Sequence, residues 1–483
     1  MRHLTALKIL GILLMLFSVT LIPPLAFATL SGDGALLPFA LALALNLAAG
    51  AACYWPLRHE PGDLRIRDGF VVVVLFWTVL SAFGALPFLL LREPAIGVVD
   101  ALFESMSGLT TTGATILTGI DDLPLSIRYY RQQLQWLGGM GIVVLAVAVM
   151  PMLGVGGMQL YRAETSGPVK HNKLTPRITE TAKGLWLIYF SLTVACGLAY
   201  FFAGMNWFDA LSHAFSTIAI GGFSTHDANL GHFNNNAVNA VAIVFMLLSG
   251  LNFALHFTAL RSRNVAAYLR DPEARVYFAL VAALLVVSVT VLLRYQVFDR
   301  AADNLMQGAL QVVSLVTTTG FTTTDFSMWP SFLPVMLILA GCAGGCAGST
   351  AGGMKIVRMI LLYKQGAREI SKLVHPSALM PVKLGGKPVP EHVINAVWGF
   401  LSLYILSYVL LLLLMLASGA DPVTAFSAVT ACLNNLGPGL GDVAHNYASI
   451  TAMGKIVLTF AMLLGRLELF TLLVLFTPVF WRG

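Results

Sequence analysis

With 483 residues, 57% of them hydrophobic and 11% charged, the chain falls far from the roughly 25% charged composition of soluble proteins. A mean hydropathy of +0.80 and recurrent apolar runs near the ~20-residue spanning length describe a multi-pass membrane protein instead. The net charge of +6 is spread over short loops, which argues against nucleic-acid binding and for a report of membrane topology.

Ten spans are predicted, at 4–28, 36–57, 70–91, 134–153, 184–204, 237–260, 276–293, 331–361 (interrupted), 393–417 and 452–478. Arg2 and Lys8 precede the first, as in a signal peptide, but the apolar core runs on without a clear small-residue cleavage site. It is therefore read as a mature helix. The two leading helices (1–60) stand apart. The rest divides into four units at 61–160, 161–265, 266–385 and 386–483. Each unit runs long span, short amphipathic helix, polar glycine loop, long span.

The short segments, at about 99–110, 207–218, 303–316 and 421–433, cannot cross a membrane at ~1.5 Å per residue. They are predicted to be re-entrant helices, which are tolerated only where they line a water-filled path or pack on protein. Asp100, Asp209, Asp303 and Asp421 open them and suit an N-cap or first-turn position. Each helix then points its negative end into the membrane, where a cation is stabilised.

After each short helix comes a glycine among hydroxyl, amide or small residues: Thr111-Thr112-Gly113, Ile220-Gly221-Gly222, Thr318-Thr319-Gly320 and Asn435-Leu436-Gly437. The glycines lie 109, 98 and 117 residues apart, and Gly222-Phe223-Ser224-Thr225 nearly repeats as Gly320-Phe321-Thr322-Thr323. Carbonyls point inward in succession only where the backbone takes conformations cheap for glycine. Four such loops can close into a ring of oxygens, which within a membrane is an ion selectivity filter. A single such loop would read as an ordinary turn or a small-residue helix contact.

Most of the 29 Lys and Arg residues fall in segments 1–8, 58–68, 162–183, 261–275 and 355–387. The alternate segments, which hold the glycine loops, carry only Arg92, Arg128, Arg131, Arg294 and Arg300. The positive-inside rule then makes both termini cytoplasmic and gives all four units one orientation. The predicted fold is an all-α membrane protein. Four pseudo-fourfold repeats of membrane helix, pore loop and membrane helix surround one central pore, and two extra N-terminal transmembrane helices complete it. The five cysteines lie in apolar stretches and suggest neither a disulfide framework nor a zinc site.

The eighth span is interrupted by Ala-Gly-Cys-Ala-Gly-Gly-Cys-Ala-Gly-Ser-Thr-Ala-Gly-Gly-Met, residues 340–354. Glycines at 341, 344, 345, 348, 352 and 353, at ~1 kcal/mol each relative to alanine, disfavour a continuous helix. Close helix packing through small residues is the alternative. In the last span Arg466 is a charge at membrane depth, costing at least ~2.5 kcal/mol on insertion scales. It cannot face Glu468 two residues away on a helix. Lys455, nearer the outer end, is expected to snorkel, and His213 and Glu104 to serve as network residues on the re-entrant helices.

Four units with one glycine per loop and an interrupted span resemble the Trk/Ktr/HKT superfamily of potassium transporters over essentially the whole chain. The two extra helices make the chain similar to its bacterial membrane subunits. The resemblance implies potassium-selective uptake across the bacterial inner membrane, with Thr111, Thr112, Gly113, Ile220, Gly221, Gly222, Thr318, Thr319, Gly320, Asn435, Leu436 and Gly437 as the filter. Glycine at 113 goes with potassium selectivity in that family. It also implies a gate formed by Gly344, Gly345, Gly348, Ser349, Thr350, Gly352 and Gly353, with Arg466 projecting beneath the filter. An ion pair of Arg466 with Glu104 is the competing assignment. Among partners the family implies membrane lipid, a homodimer and a TrkA-like cytoplasmic nucleotide-binding regulatory subunit docking on the basic segments 162–183 and 355–392.

The chain carries no Gly-x-x-x-x-Gly-Lys-Ser/Thr loop, HExxH motif or nucleophile–base set. Neither enzymatic activity nor nucleotide binding by this chain itself is expected. An ion-coupled secondary transporter of a small solute is the alternative function, and the parallel orientation of the repeats argues against it.

Overall fold

A computed structural model of the chain describes residues 3–59, 66–144 and 178–482. Among these, six helices are long and apolar enough to cross a membrane, rising to eight if each of two bent helix pairs is one span. The other two expected spans are the helix Leu125–Val144 and the interrupted eighth. The continuation of the former to residue 153 lies outside the described residues, as do residues 162–177 of the basic segment.

The outer helices present apolar side chains away from the protein. Leu406, Leu410 and Leu413 on Glu391–Ala417 are exposed, as are Leu187 and Leu198 on Ile178–Phe202. Such a surface is stable against lipid, not water. The four short helices form where the sequence places them, at Val98–Leu109, Trp207–Ala219, Ala301–Val316 and Pro422–Leu433. Asp421 is a true N-cap, accepting from the Val423 and Thr424 amides, whereas Asn206 caps the second helix and Asp209 occupies its first turn. Asp100 and Asp303 are likewise first-turn residues. All four carboxylates thus oppose the positive helix end.

The structure corrects the long spans at several points. An interruption was expected only in the eighth, which indeed divides into Leu333–Gly341 and Ile356–Val374. The span 237–260 also breaks, into Asn236–Ser249 and Phe253–Ser262, bent by 94°. There the Asn252 side chain caps the new helix by accepting from the Ala254 amide. The last span, expected to run straight over 452–478, turns by 108° after Arg466, with Glu468 and Leu469 both at φ 53°. The first span is divided at Thr20-Leu21, where Pro23 and Pro24 open a second helix. A two-stranded hairpin, Lys383–Leu384 against Lys387–Pro388, is a small departure from an all-α chain.

Two apolar cores hold the bundle. One joins the leading helices (Leu14, Phe17, Phe39) to the first and fourth units (Trp77, Leu134, Leu433, Leu458). The other joins the second and third units (Tyr189, Phe253, Leu315, Leu337). Since the first and last units share a core, the chain closes on itself.

Inner helices cross the ends of the short helices at glycines. A β-carbon on Gly138 would lie 1.8 Å from the Leu109 oxygen, and one on Gly465 would lie 2.0 Å from the Leu433 oxygen. Leu109 and Leu433 are each four residues before their loop glycine, so the contact recurs by symmetry. Gly138→Ala and Gly465→Ala should each lower stability by about 1–3 kcal/mol through overpacking. Gly366→Ala, with nothing within 4 Å of the new methyl, should instead be neutral or stabilise by up to ~1 kcal/mol. Melting temperatures of the purified protein in detergent check the contrast.

Candidate functional site

Each short helix ends in the same way. The amide preceding the loop glycine donates to the carbonyl five residues back: Thr112 to Ser107, Gly221 to Ser216, Thr319 to Ser314 and Leu436 to Ala431, at 2.8–2.9 Å. The residue before it bonds three residues back in all four loops. Together these bonds make a Schellman terminus, which requires a left-handed residue after the helix. Thr111, Ile220, Thr318 and Asn435 take that place at φ 51, 54, 63 and 51°, and the loop glycines follow at 82, 81, 83 and 95°. Three of the four left-handed residues are β-branched, a conformation that costs roughly 1–3 kcal/mol each and persists only where the surroundings impose it.

The surroundings are the other loops. A β-carbon on Gly113 would lie 2.2 Å from the Gly221 oxygen, on Gly222 2.0 Å from the Thr319 oxygen, and on Gly320 2.3 Å from the Leu436 oxygen. One on Gly437 would lie 2.6 Å from the Thr112 oxygen. The four contacts run through the loops in chain order and return to the first. The twelve residues expected at the filter are thus brought together as one closed ring of glycine α-carbons and carbonyls. Thr110–Thr112 and Thr317–Thr319 hydroxyl pairs, at 2.8 and 2.7 Å, brace loops one and three.

The glycine-rich segment lies against the inner ends of three loops. The Gly352 amide donates to the Thr318 hydroxyl at 2.7 Å, the Gly353 amide to the Asn434 oxygen at 3.1 Å, and the Thr350 hydroxyl to the Ile218 oxygen at 3.0 Å. Arg466 supplies the fourth contact: its guanidinium donates to the Thr111 hydroxyl at 2.6 Å and to the Thr350 oxygen at 3.4 Å. The remaining residues assigned to this segment shape its turns. Gly344, Gly348 and Gly353 have positive φ, the Ser349 hydroxyl closes on the Cys346 oxygen, and a β-carbon on Gly345 would meet the Gly250 oxygen at 2.8 Å. The competing ion pair of Arg466 with Glu104 is overturned, because Glu104 pairs with Arg131 at 2.8 Å. Lys455 reaches Asp100 at 2.6 Å, and all five cysteines are free.

Beyond the ring opens a vestibule of about 450 Å³ lined by Thr115, Gly222, Asn229, Gly437 and Tyr447 among others. Sequence reading missed the residues that brace its floor. Arg131 donates to the Ser224 oxygen at 2.9 Å, Asn229 to Gly222 at 3.1 Å and Tyr447 to Gly437 at 2.7 Å. Only the isolation of Arg131 among the outward segments marked it. His213 is satisfied as expected, by Asp209 and Ser224, both at 2.9 Å.

At the rim His226 is clasped between Asp121 on Nδ1 and Asp209 on Nε2 (3.2 Å), with His232 stacked on it at 3.5 Å. Asp121, His226 and His232 bring ligand atoms within 4.8 Å of one another. However, an imidazole whose two nitrogens both face carboxylates is a pair of donors, not a metal ligand. Burial lowers the His226 pKa, but the Asp209 and Asp121 carboxylates outweigh it and raise the value above 6.5. Burial raises that of Asp121, and His226 overrides it to leave a value below 3.8.

This is the build of a multi-pass membrane protein whose four helix-ended loops close around one axis, and comparisons with known proteins place it among cation transporters. A family model described as TrkH, cation transport protein, matches residues 37–482. The chain is 54% identical to the Trk system potassium uptake protein TrkH of Salmonella typhimurium over 475 residues, covering 98% of each. It is 38% identical to the TrkG protein of Escherichia coli over 473 residues, covering 98% of this chain and 97% of that one. The crystal structure of the potassium transporter TrkH from Vibrio parahaemolyticus superposes with a TM-score of 0.93 at 51% identity over the whole of both chains. The chain belongs to the TrkH family of cation transport proteins.

Two predictions follow from the ring and its rim. Gly113→Ser places a side chain against the Gly221 oxygen at a left-handed position, so discrimination between potassium and sodium should fall while the protein still folds, as competed rubidium uptake would read. The second concerns pH. A raised histidine pKa contributes stability that is complete below about 6.5 and is lost as pH rises through the folded value; the lowered Asp121 value acts oppositely, at the acid end. The melting-temperature advantage of wild type over His226→Gln should therefore be largest near pH 5.5 and shrink as pH rises through the folded value.

Proposed function

We propose that the chain takes up potassium across the bacterial inner membrane, dehydrating the ion in the four-loop ring. The cyclic contact of each loop glycine with the next loop's carbonyl carries this reading, because it sets backbone oxygens around one axis at the negative ends of four helices. The relatives' designation as potassium uptake proteins supports potassium as the cargo, and Gly113 in the first loop agrees with it. The membrane potential drives entry at ~2.3 kcal/mol per charge per 100 mV.

In this reading the segment 340–354 closes the path beneath the ring, and Arg466 adds a positive barrier beside it. Displacing the segment breaks contacts to loops two, three and four, so opening is an all-or-none event at one level of the pore. The first half of the basic segment 355–392 is the amphipathic helix Ile356–Val374, continuous with the gate. It is the natural point at which a cytoplasmic nucleotide-binding regulatory subunit pulls on the gate. Both termini are cytoplasmic, the protein is multi-pass in lipid, and two copies form the functional unit.

Rubidium uptake into proteoliposomes under an imposed potential tests the reading. Potassium should compete far better than sodium, and Arg466→Ala should raise flux by about tenfold for each 1.4 kcal/mol of barrier removed. No voltage-driven flux in either protein would defeat the pore reading.

A further inference from the structure

The four loops are not equivalent at the ring carbonyls. The Thr112, Thr319 and Leu436 oxygens accept no hydrogen bond from the described residues, whereas the Gly221 oxygen accepts one from Gln135 Nε2 at 2.6 Å. The orientation of that amide is fixed by the backbone: the Phe223 N–H donates to Gln135 Oε1 at 3.1 Å, with the Ser216 hydroxyl 2.7 Å from the same atom. Gln135 is fully buried on the helix Leu125–Val144 of the first unit, so one side chain clamps both flanks of the second loop's glycine from behind.

The sequence makes room for it. At the position before the loop glycine, the other loops carry Thr112, Thr319 and Leu436. Here a β-carbon on Gly221 would lie 2.3 Å from Gln135 Cδ, so the glycine admits the amide. The Gly221 oxygen nonetheless keeps its place in the ring, since its 2.2 Å relation to Gly113 matches the other three. It is in register, tethered and partly neutralised.

We propose that Gln135 is a positioning residue that sets cation discrimination, holding the Gly221 carbonyl against inward collapse; the proposal rests on the reading of the ring as the filter. A smaller cation needs the oxygens closer and rewards a stronger field, whereas a larger one is satisfied by a wider, weaker ring. A donor at the back of one oxygen opposes both closure and field strength at that corner. It therefore penalises sodium more than potassium. Three free oxygens and one tethered oxygen make the ring asymmetric by construction.

The test compares wild type, Gln135→Met, Gln135→Asn and Gly113→Ser in proteoliposomes, reading the ratio of sodium to potassium needed to halve rubidium uptake. Gln135→Met removes the donor at similar volume; Gln135→Asn keeps a neutral amide in the pocket but withdraws it from the Gly221 oxygen. Both should lower the ratio by about fivefold, the worth of one neutral hydrogen bond. A role confined to packing would leave the ratio unchanged and move only the melting temperature. If Gln135→Met does not fold, Gln135→Asn decides. A wild-type ratio in the Gln135 variants, with Gly113→Ser lowered, overturns the proposal and leaves the filter reading standing. No potassium preference in wild type overturns both.

Discussion

The contact on which everything else depends is a glycine α-carbon against the carbonyl oxygen of the next loop, repeated four times around a closed circuit. At 2.0–2.6 Å from oxygen to the missing β-carbon, no other residue fits without moving a neighbouring loop. The constraint is mutual: each loop supplies a glycine to the next loop's carbonyl and a carbonyl to the preceding loop's glycine. A single chain builds this from unlike sequences because the contact uses only backbone and the absence of a side chain. Thr-Thr, Ile-Gly, Thr-Thr and Asn-Leu therefore all serve before the glycine.

Closing the ring stores strain. Thr111, Ile220 and Thr318 are β-branched residues in the left-handed region, which an isolated helix end would avoid in favour of glycine. Two things hold them. The Schellman bonds satisfy the last carbonyls of each short helix, and the inner helices press on those ends at Gly138 and Gly465 without side chains of their own. Helix ends, ring and inner-helix glycines are thus one cooperative unit. The glycine-rich segment touches the same unit, since Thr318 and Thr111 each bear a left-handed backbone and a hydroxyl in contact with that segment or with Arg466.

The architecture was legible because its signals are of the kinds that sequence carries: span length, alternating loop charge and a recurring glycine. The short helices came out within a few residues for the same reason. The bends did not. Gly250 and the capping Asn252 permit a break but do not set its 94° angle, and nothing in Leu467-Glu468-Leu469 marks the turn of 108°. Of the candidate site, the loop glycines, the glycine-rich segment and Arg466, which the fold brings together, could be named. The braces could not: Gln135 and Arg131 lie 86 and 93 residues from the carbonyls they hold, and Asn229 and Tyr447, only 7 and 10 residues away, sit in loops whose return to the ring leaves no mark in the sequence. A polar residue in an apolar helix announces that it has a partner, but not which one.

The breaks in three of the four inner spans share one cause. The fourth inner helix turns at Arg466 and the second at Gly250, and both turns are tied to the glycine-rich segment or to the helix that follows it. The Cys346 amide donates to the Gly250 oxygen at 2.8 Å, the Phe253 amide to the Gly348 oxygen at 3.1 Å, and Arg358 to Glu468 at 2.5 Å. The third inner helix supplies the segment itself. Three bent helices thus interlock around one glycine-rich stretch whose own hydrogen bonds run mostly to neighbours. Such a stretch has no private secondary structure to preserve. Its position is set by the partners it touches, on the Arg466 turn and at the bend after Gly250. Glycine is what the close approach requires at Gly352, where a β-carbon would lie 2.0 Å from the Asn434 oxygen.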